Sequence, residues 1–156
     1  MLLSFKKAIN DVELCLLMKF ACELVVTDVL PAVRRELANE LTDVYFLTQK
    51  EVATLFGVTD AAVCQYKKGI RGKNEQIMNG PFAERFKEEI SLSAELLNGG
   101  KSDITKELCR LCAFAKSSGL LDSLNASSHD ELYIKCSECP NKGHEIAKGE
   151  LLTDIY

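Results

Sequence analysis

The segment LTQKEVATLFGVTDAAVCQYKKG, residues 47–69, decides the fold that the sequence predicts. It contains two short helical patterns separated by Gly57, where the chain must turn sharply. Thr48 can cap the first helix, because Glu51 three residues later completes a capping box. Thr59 can cap the second helix, since a threonine hydroxyl accepts a hydrogen bond from an N–H of the first turn. We therefore expect two helices joined by a tight turn.

The apolar residues of this segment fit one packing geometry. Ala53 is small enough to let two helices approach closely, and Val58 can fill the corner between them. Val63 and Tyr66 are expected to face the core. This arrangement is typical of a helix-turn-helix, in which the second helix projects into a DNA major groove. The alternative is a helical hairpin within a core, with its lysines forming a solvated face.

The segment resembles the Cro/repressor-type helix-turn-helix family, and more closely a group of small archaeal-type regulators. Thr48, Gln49, Ala53, Gly57 and Val63 fall in register with that family, as does Gly69. The resemblance includes the upstream VLPAVRRELANEL, the downstream GIRG and the later CxxC pairs. It implies sequence-specific binding to double-stranded DNA and control of transcription.

The resemblance also implies which residues contact DNA. The base-reading positions of the family fall on Asp60, Ala61 and Gln65, with Cys64 beside them, and Gln49 falls where a helix-start amide meets phosphate. The sequence departs from the family's usual choices at Asp60, Cys64 and Ile70. Asp60 matters most, because a carboxylate repels phosphate and reads only a donor such as cytosine N4. The expected DNA-binding residues are Gln49, Thr59, Asp60, Ala61, Cys64, Gln65, Lys67, Lys68, Arg71 and Lys73.

The basic members of this set are concentrated in a chain that is acidic as a whole. Residues 61–73 contain Lys67, Lys68, Arg71 and Lys73 and no acidic residue. The whole chain has a formal net charge of −4 and this segment contributes +4, so the remainder sums to −8. A basic tip on an acidic body would orient the protein on DNA through phosphate contacts.

Two Cys-x-x-Cys pairs, CRLC from Cys109 and CSEC from Cys136, suggest a metal site. Cys109 and Cys112 are three residues apart on a predicted helix, whereas Cys136 and Cys139 are expected on a turn. Four thiolates can hold an iron–sulfur cluster or Zn²⁺. We favour the cluster because Cys139 precedes a proline, and keep zinc as the alternative.

Other functions of the cysteines rank lower. A thioredoxin-like dithiol would place its nucleophile at a helix N-terminus, whereas Cys109 is expected well inside a helix. Cys15 and Cys22 lie in an apolar helical stretch and are assigned to helix packing. The competing function for the whole chain is a metal-carrying or dithiol redox protein whose helical domain makes protein contacts.

Length and composition favour a mainly α protein with two parts. We expect a helical DNA-binding domain over residues 1–98, with its helix-turn-helix at 47–69, and a cysteine-rich metal-binding or dimerisation region over residues 101–156. The glycine pair at 99–100 is the candidate boundary. No spacing joins Ser, His and acidic residues into a catalytic constellation, so we expect no enzyme. An odd number of cysteines, seven, and the absence of a signal-peptide pattern favour a cytoplasmic protein, and the longest apolar stretch is too short for a membrane span. We expect a homodimer, because helix-turn-helix proteins usually bind two half-sites and the N-terminal helix carries more apolar surface than one small domain covers.

The remaining helical patterns set the expected order of elements. Within residues 12–41, Pro31 suits the first turn of a helix that starts after Asp28, and the first 26 residues are expected to form a separate helix. Residues 69–80 are expected to form a loop, followed by a helix from Pro81. Another helix should start at Ser102 or Asp103 and end near residue 119. The rest is predicted as loop, with LYIK at residues 132–135 as a brief strand.

Overall fold

The computed structural model describes residues 19–126 and 133–134, with side chains from residue 22 to residue 126. The chain is mainly helical, as the sequence predicts. The first helical run consists of α1, a π-helical turn and α2, and six further helices follow among the described residues. The elements are β1 Lys19–Phe20, α1 Ala21–Leu24, the π-helical turn Val25–Val29, α2 Leu30–Asp43, α3 Gln49–Phe56, α4 Asp60–Lys67, α5 Glu75–Asn79, α6 Ala83–Asn98, α7 Ile104–Ser117, α8 Leu120–Ala126 and β2 Tyr133–Ile134.

The helical run from Ala21 to Asp43 has no break near Asp28. The prediction that the first 26 residues form a separate helix is therefore wrong for the described residues. Pro31 lacks an N–H and crowds the carbonyl of the preceding turn. The chain accommodates it with one wider turn, in which the N–H of Leu30 donates to the carbonyl of Val25, five residues earlier.

Helix α2 is the central element of the core. Val33, Leu37 and Leu41 are fully buried along one side, where α2 packs against α4, α6 and α7. A fully buried aliphatic side chain contributes on the order of 1.5–3 kcal/mol relative to an exposed one. Leu111 on α7 and Leu120 on α8 belong to the same hydrophobic cluster. The glycine pair at 99–100 thus separates helices that share one core within residues 19–126, while the division into residues 1–98 and 101–156 stays a prediction.

Two helices lie where the sequence predicts loops. Helix α5 begins after Asn74, whose side-chain oxygen accepts hydrogen bonds from the N–H groups of Gln76 and Ile77 at 3.1 Å each. It is stabilised by the burial of Ile77, which is fully inaccessible to solvent. Helix α8 follows Gly119 and buries Leu120, Leu121 and Leu124. Both helices are shorter than eight residues and would be only marginally stable in isolation, so burial against the rest of the protein stabilises them.

The two strands pair in parallel, with Lys19 opposite Tyr133 and Phe20 opposite Ile134. The brief strand predicted within residues 132–135 is confirmed at these two positions. The N-cap predicted for α7 is also confirmed, since the Asp103 carboxylate accepts from the N–H of Lys106 at 2.9 Å.

In the part of the chain that the structure describes, no helix combines the length and the apolar character needed to cross a membrane.

Candidate nucleic-acid interface

The start of α3 has the capping box that the sequence predicts. The backbone N–H of Thr48 donates to Glu51 Oε2 at 2.7 Å, and the N–H of Glu51 donates to Thr48 Oγ1 at 3.3 Å. The first of these bonds, donated by the Thr48 N–H, lowers the pKa of the Glu51 carboxyl. Gln49 and Lys50 follow at the exposed start of the helix. The end of α3 that carries a partial positive charge therefore faces solvent.

The turn between α3 and α4 depends on Gly57. Its φ is +64°, in the left-handed region, and no atom lies within 4 Å of the place a Cβ would take. The N–H of Gly57 donates to the carbonyl of Thr54 at 3.2 Å, and the N–H of Val58 donates to that of Ala53 at 3.0 Å. These two bonds form a Schellman motif. Backbone conformation, and not crowding, is the reason for glycine at this position.

Helix α4 is capped by Thr59, whose Oγ1 accepts from the N–H of Ala62 at 3.2 Å. Val63 is fully buried and Tyr66 is 6% exposed, which confirms their predicted orientation toward the core. Ala53 on α3 is 2% exposed, as expected for a residue at a close helix approach.

The opposite side of α4 forms a solvent-facing surface that we call the α4 stripe, made of Ala61, Cys64, Gln65 and Lys68. These positions recur at helical spacing and so share one face. Ala61 and Lys68 are exposed, whereas Cys64 and Gln65 are half-buried. Asp60 is also exposed and lies in the first turn of α4, where a carboxylate stabilises the helix by interacting with the positive end of its dipole. Asp60 therefore has a local structural role as well as any contact with a base.

The four basic residues of the segment have different environments. Lys67 Nζ donates to Asp43 Oδ1 at 2.6 Å and to Thr42 Oγ1 at 2.8 Å, both at the end of α2. The hydrogen bond from Lys67 lowers the pKa of Asp43. Lys73 forms an exposed ion pair with Glu75 at 2.9 Å. The other two, Lys68 and Arg71, are exposed.

The chain after α4 lies against the start of α2. Gly72 has a φ of +73°, and a Cβ there would lie 2.1 Å from the carbonyl oxygen of Pro31. Asn74 Nδ2 donates to Asp28 Oδ1 at 3.3 Å. These contacts fix the segment that carries Arg71. The sequence interpretation did not identify Gly72 or Asn74, although a glycine and a capping residue within a basic loop are the signals that could have found them.

Several large apolar side chains are exposed around this region. Val44, Phe46 and Ile70 are 53%, 84% and 68% exposed. Phe46 also has a φ of +58°, which is rare for a residue with a bulky side chain. Lys50 is a further exposed cation that the sequence interpretation left out of the candidate site.

The described part of the predicted four-cysteine site is a pair of cysteines on α7. Cys109 is exposed and Cys112 is half-buried, three residues further along the helix. Burial raises the pKa of the Cys112 thiol, Cys109 raises it further, and the positive charges of Lys116 and Arg34 oppose this. Cys136 and Cys139 lie outside the described residues. Within residues 22–126, no group of three or more His, Cys, Asp or Glu side chains could hold a metal ion.

The two cysteines assigned to helix packing have different outcomes. Cys22 is exposed, so its assignment to helix packing is wrong. Cys22 lies in α1 two residues before Leu24, whose side chain is buried in the core. Cys15 lies outside the described residues.

A charge network attaches α7 to α6. Glu107 is 3% exposed and accepts hydrogen bonds from Ser93 Oγ at 2.6 Å and from Arg110 Nε at 3.0 Å. Arg110 also pairs with Glu89 and donates to the Glu89 carbonyl at 2.8 Å. Burial alone raises the pKa of Glu107, but the hydrogen bonds from Ser102, Ser93 and Arg110 outweigh it and lower the pKa. The buried carboxylate is therefore stabilised in its charged form.

No family model, curated protein or solved structure matches the chain.

Proposed function

We propose that the chain is a sequence-specific DNA-binding regulator of transcription, of the Cro/repressor helix-turn-helix type, that acts as a cytoplasmic homodimer. The observation that carries this proposal is the α4 stripe, which faces solvent and is accompanied by the capped start of α3 and the exposed Arg71. Such a surface combines groups that can read bases with groups that can bind phosphates.

In this proposal, α4 enters the major groove and its residues Asp60, Ala61 and Gln65 contact the bases. Gln65 can donate to and accept from an adenine edge through its amide. Ala61 can contact a thymine methyl group, and Asp60 can accept from cytosine N4. Each good base contact is worth on the order of 1–3 kcal/mol of discrimination.

Phosphate contacts come from the flanking elements. The exposed start of α3 offers backbone N–H groups and the Gln49 amide to one phosphate. Thr59 uses its oxygen to cap α4, and its hydroxyl proton can still be donated to a phosphate. Lys68 and Arg71 add positive charge on the side of the loop after α4.

Selection of bound duplexes from a random DNA pool tests this proposal, followed by fluorescence anisotropy on the enriched sequence. Gln65→Ala should weaken binding by on the order of 1–3 kcal/mol at one operator position. Lys68→Ala should weaken binding to all sequences about equally and reduce the slope of log K against log salt by about 0.9. Failure to enrich any sequence would count against the regulator and favour a protein whose helical pair makes protein contacts.

A dimer is proposed because helix-turn-helix proteins commonly bind two half-sites about one helical turn, roughly 34–36 Å, apart. Light scattering at micromolar concentration measures this directly. A monomeric mass together with an enriched site that lacks two-fold symmetry would contradict it.

The second part of the proposal is a four-cysteine site made of Cys109, Cys112, Cys136 and Cys139, which holds an iron–sulfur cluster or, as the alternative, Zn²⁺. It is supported by the spacing of the two pairs and by the accessibility of Cys109 at the surface of α7. If the four thiolates hold a cluster, the site would sense redox state. If they hold zinc, it would stabilise the fold. An ultraviolet–visible spectrum of anaerobically purified protein, with iron, sulfide and zinc analysis, distinguishes the two.

A further inference from the structure

We infer that Lys67 is a positioning residue that fixes the last turn of α4 on the end of α2, and that it does not contact phosphate. The inference rests on the proposed function, since it assigns a role within the same DNA-binding surface. It also separates Lys67 from its neighbour Lys68, although the two are equivalent by sequence.

The Lys67 ammonium group is held by two oxygen atoms of α2. Nζ lies 2.6 Å from Asp43 Oδ1 and 2.8 Å from Thr42 Oγ1. Thr42 is itself oriented, because its hydroxyl donates to the carbonyl of Ala38 at 2.9 Å. Lys67 thus uses two of its three N–H donors within the protein.

The surroundings of Lys67 also disfavour a phosphate. Its side chain is 24% exposed, whereas that of Lys73 is 61% exposed. A phosphate close enough to bind Lys67 would approach the Asp43 carboxylate, and two anions at that distance repel each other. Lys68 is exposed on the α4 stripe and is better placed for such a contact.

The position of the pair connects it to base reading. Val63 and Tyr66 attach α4 to the core on its buried side. Lys67 adds a polar attachment at the end of the helix, two residues after Gln65. Loss of this attachment should loosen the orientation of Gln65 in the major groove, which lowers discrimination between sequences more than it lowers affinity for DNA in general.

The test compares Lys67→Met with Lys68→Met, because methionine keeps an apolar stem and removes the charge. Two quantities are measured on full-length protein: the ratio of operator to random-DNA affinity, and the salt slope. Because Asp43 is 65% exposed, water partly screens its pair with Lys67, and Lys67→Met should lower the ratio by only about two- to five-fold without changing the slope. Lys68→Met should leave the ratio unchanged and reduce the slope by about 0.9.

Two more variants distinguish positioning from general stability. Asp43→Asn should lower the ratio as Lys67→Met does. The loss of an anion would by itself raise the affinity for DNA, so charge alone cannot explain a lower ratio. Asp43→Lys combined with Lys67→Glu restores an ion pair and should recover most of the ratio. Circular dichroism at the assay temperature verifies that each variant is folded, so that loss of folded protein does not contribute to the ratio.

A salt slope that falls as much for Lys67→Met as for Lys68→Met would overturn the inference, because Lys67 would then bind phosphate. Failure of the charge-reversed pair to raise the ratio above that of Lys67→Met would also overturn it. If the parent protein shows no preference for any operator, the proposed function itself fails, and the inference fails with it.

Discussion

Replacing Gly72 by alanine should destabilise the protein far more than the same change at Gly69. Both glycines have a left-handed backbone, with φ values of +73° and +69°. An added Cβ at Gly72 would lie 2.1 Å from the carbonyl oxygen of Pro31 and 2.9 Å from Cβ of Arg35. At Gly69 the nearest atom is Cδ of Lys73, at 4.0 Å, so Gly69→Ala is a matched control for the backbone effect alone.

The expected losses of stability follow from the backbone strain at both positions and from the steric clash at Gly72. A left-handed conformation costs a non-glycine residue roughly 1–2 kcal/mol, and this cost applies at both positions. Overpacking against backbone atoms adds typically about 1–3 kcal/mol at Gly72, since the Pro31 carbonyl belongs to a helix and cannot rotate away. We therefore expect a loss of about 1–2 kcal/mol for Gly69→Ala and about 2–5 kcal/mol for Gly72→Ala.

Urea denaturation followed by far-ultraviolet circular dichroism measures both losses. The slope of the unfolding free energy against urea should stay constant, so that the midpoint alone reports stability. Because the clash is relieved by moving the loop, Gly72→Ala should also weaken DNA binding through Arg71, in protein that is still folded. Equal midpoints for the two variants would refute the close approach of Gly72 to Pro31.

Three further predictions concern caps, buried charge and thiolates. Thr59→Ala should lower the free energy of unfolding by about 0.5–2 kcal/mol through loss of the α4 cap, measured by the same denaturation. The hydrogen bonds to Glu107 lower its pKa below the ordinary value of 4.5. The contribution of Glu107 to the free energy of unfolding is therefore present above that pH and is lost as the pH falls through the lowered pKa. Glu107→Gln should make the free energy of unfolding depend less on pH in the acid range. Cys136→Ser or Cys139→Ser should abolish bound iron or zinc while Cys22→Ala retains it, and equal metal content in all three variants would contradict the four-cysteine site.

The elements predicted from the sequence are those whose signals are local. Thr48 and Glu51 specify the start of α3 within four consecutive residues, and Gly57 specifies its end through its own backbone conformation. Asp103 does the same for α7. A capping residue needs only its immediate neighbours, so its role can be read without knowledge of the tertiary structure.

The elements that were missed depend on partners far along the chain. Helix α5 is too short to show a helical period, and it is stabilised by burial of Ile77 among residues of other helices. The helical run continues through Pro31 because Val29 and Val33 are buried in the same core. The π-helical turn arises because this continuous run has to accommodate the proline. Exposure of Cys22 has the same origin, since an apolar stretch does not show which of its sides meets a partner.

The candidate site illustrates the same limit for charge. Counting residues assigns four equal cations to residues 61–73, but Lys67 is committed to Asp43, 24 positions earlier in the chain. Lys73 pairs with Glu75, yet both side chains are more than 60% exposed, so this pair is screened by water and readily exchanged for a phosphate. For Lys68 and Arg71, no ion pair with another described residue has to be exchanged for the phosphate. In the proposed mode of DNA binding, the electrostatic part would therefore come from three of the four cations, and the fourth would set the geometry of the helix that carries Gln65.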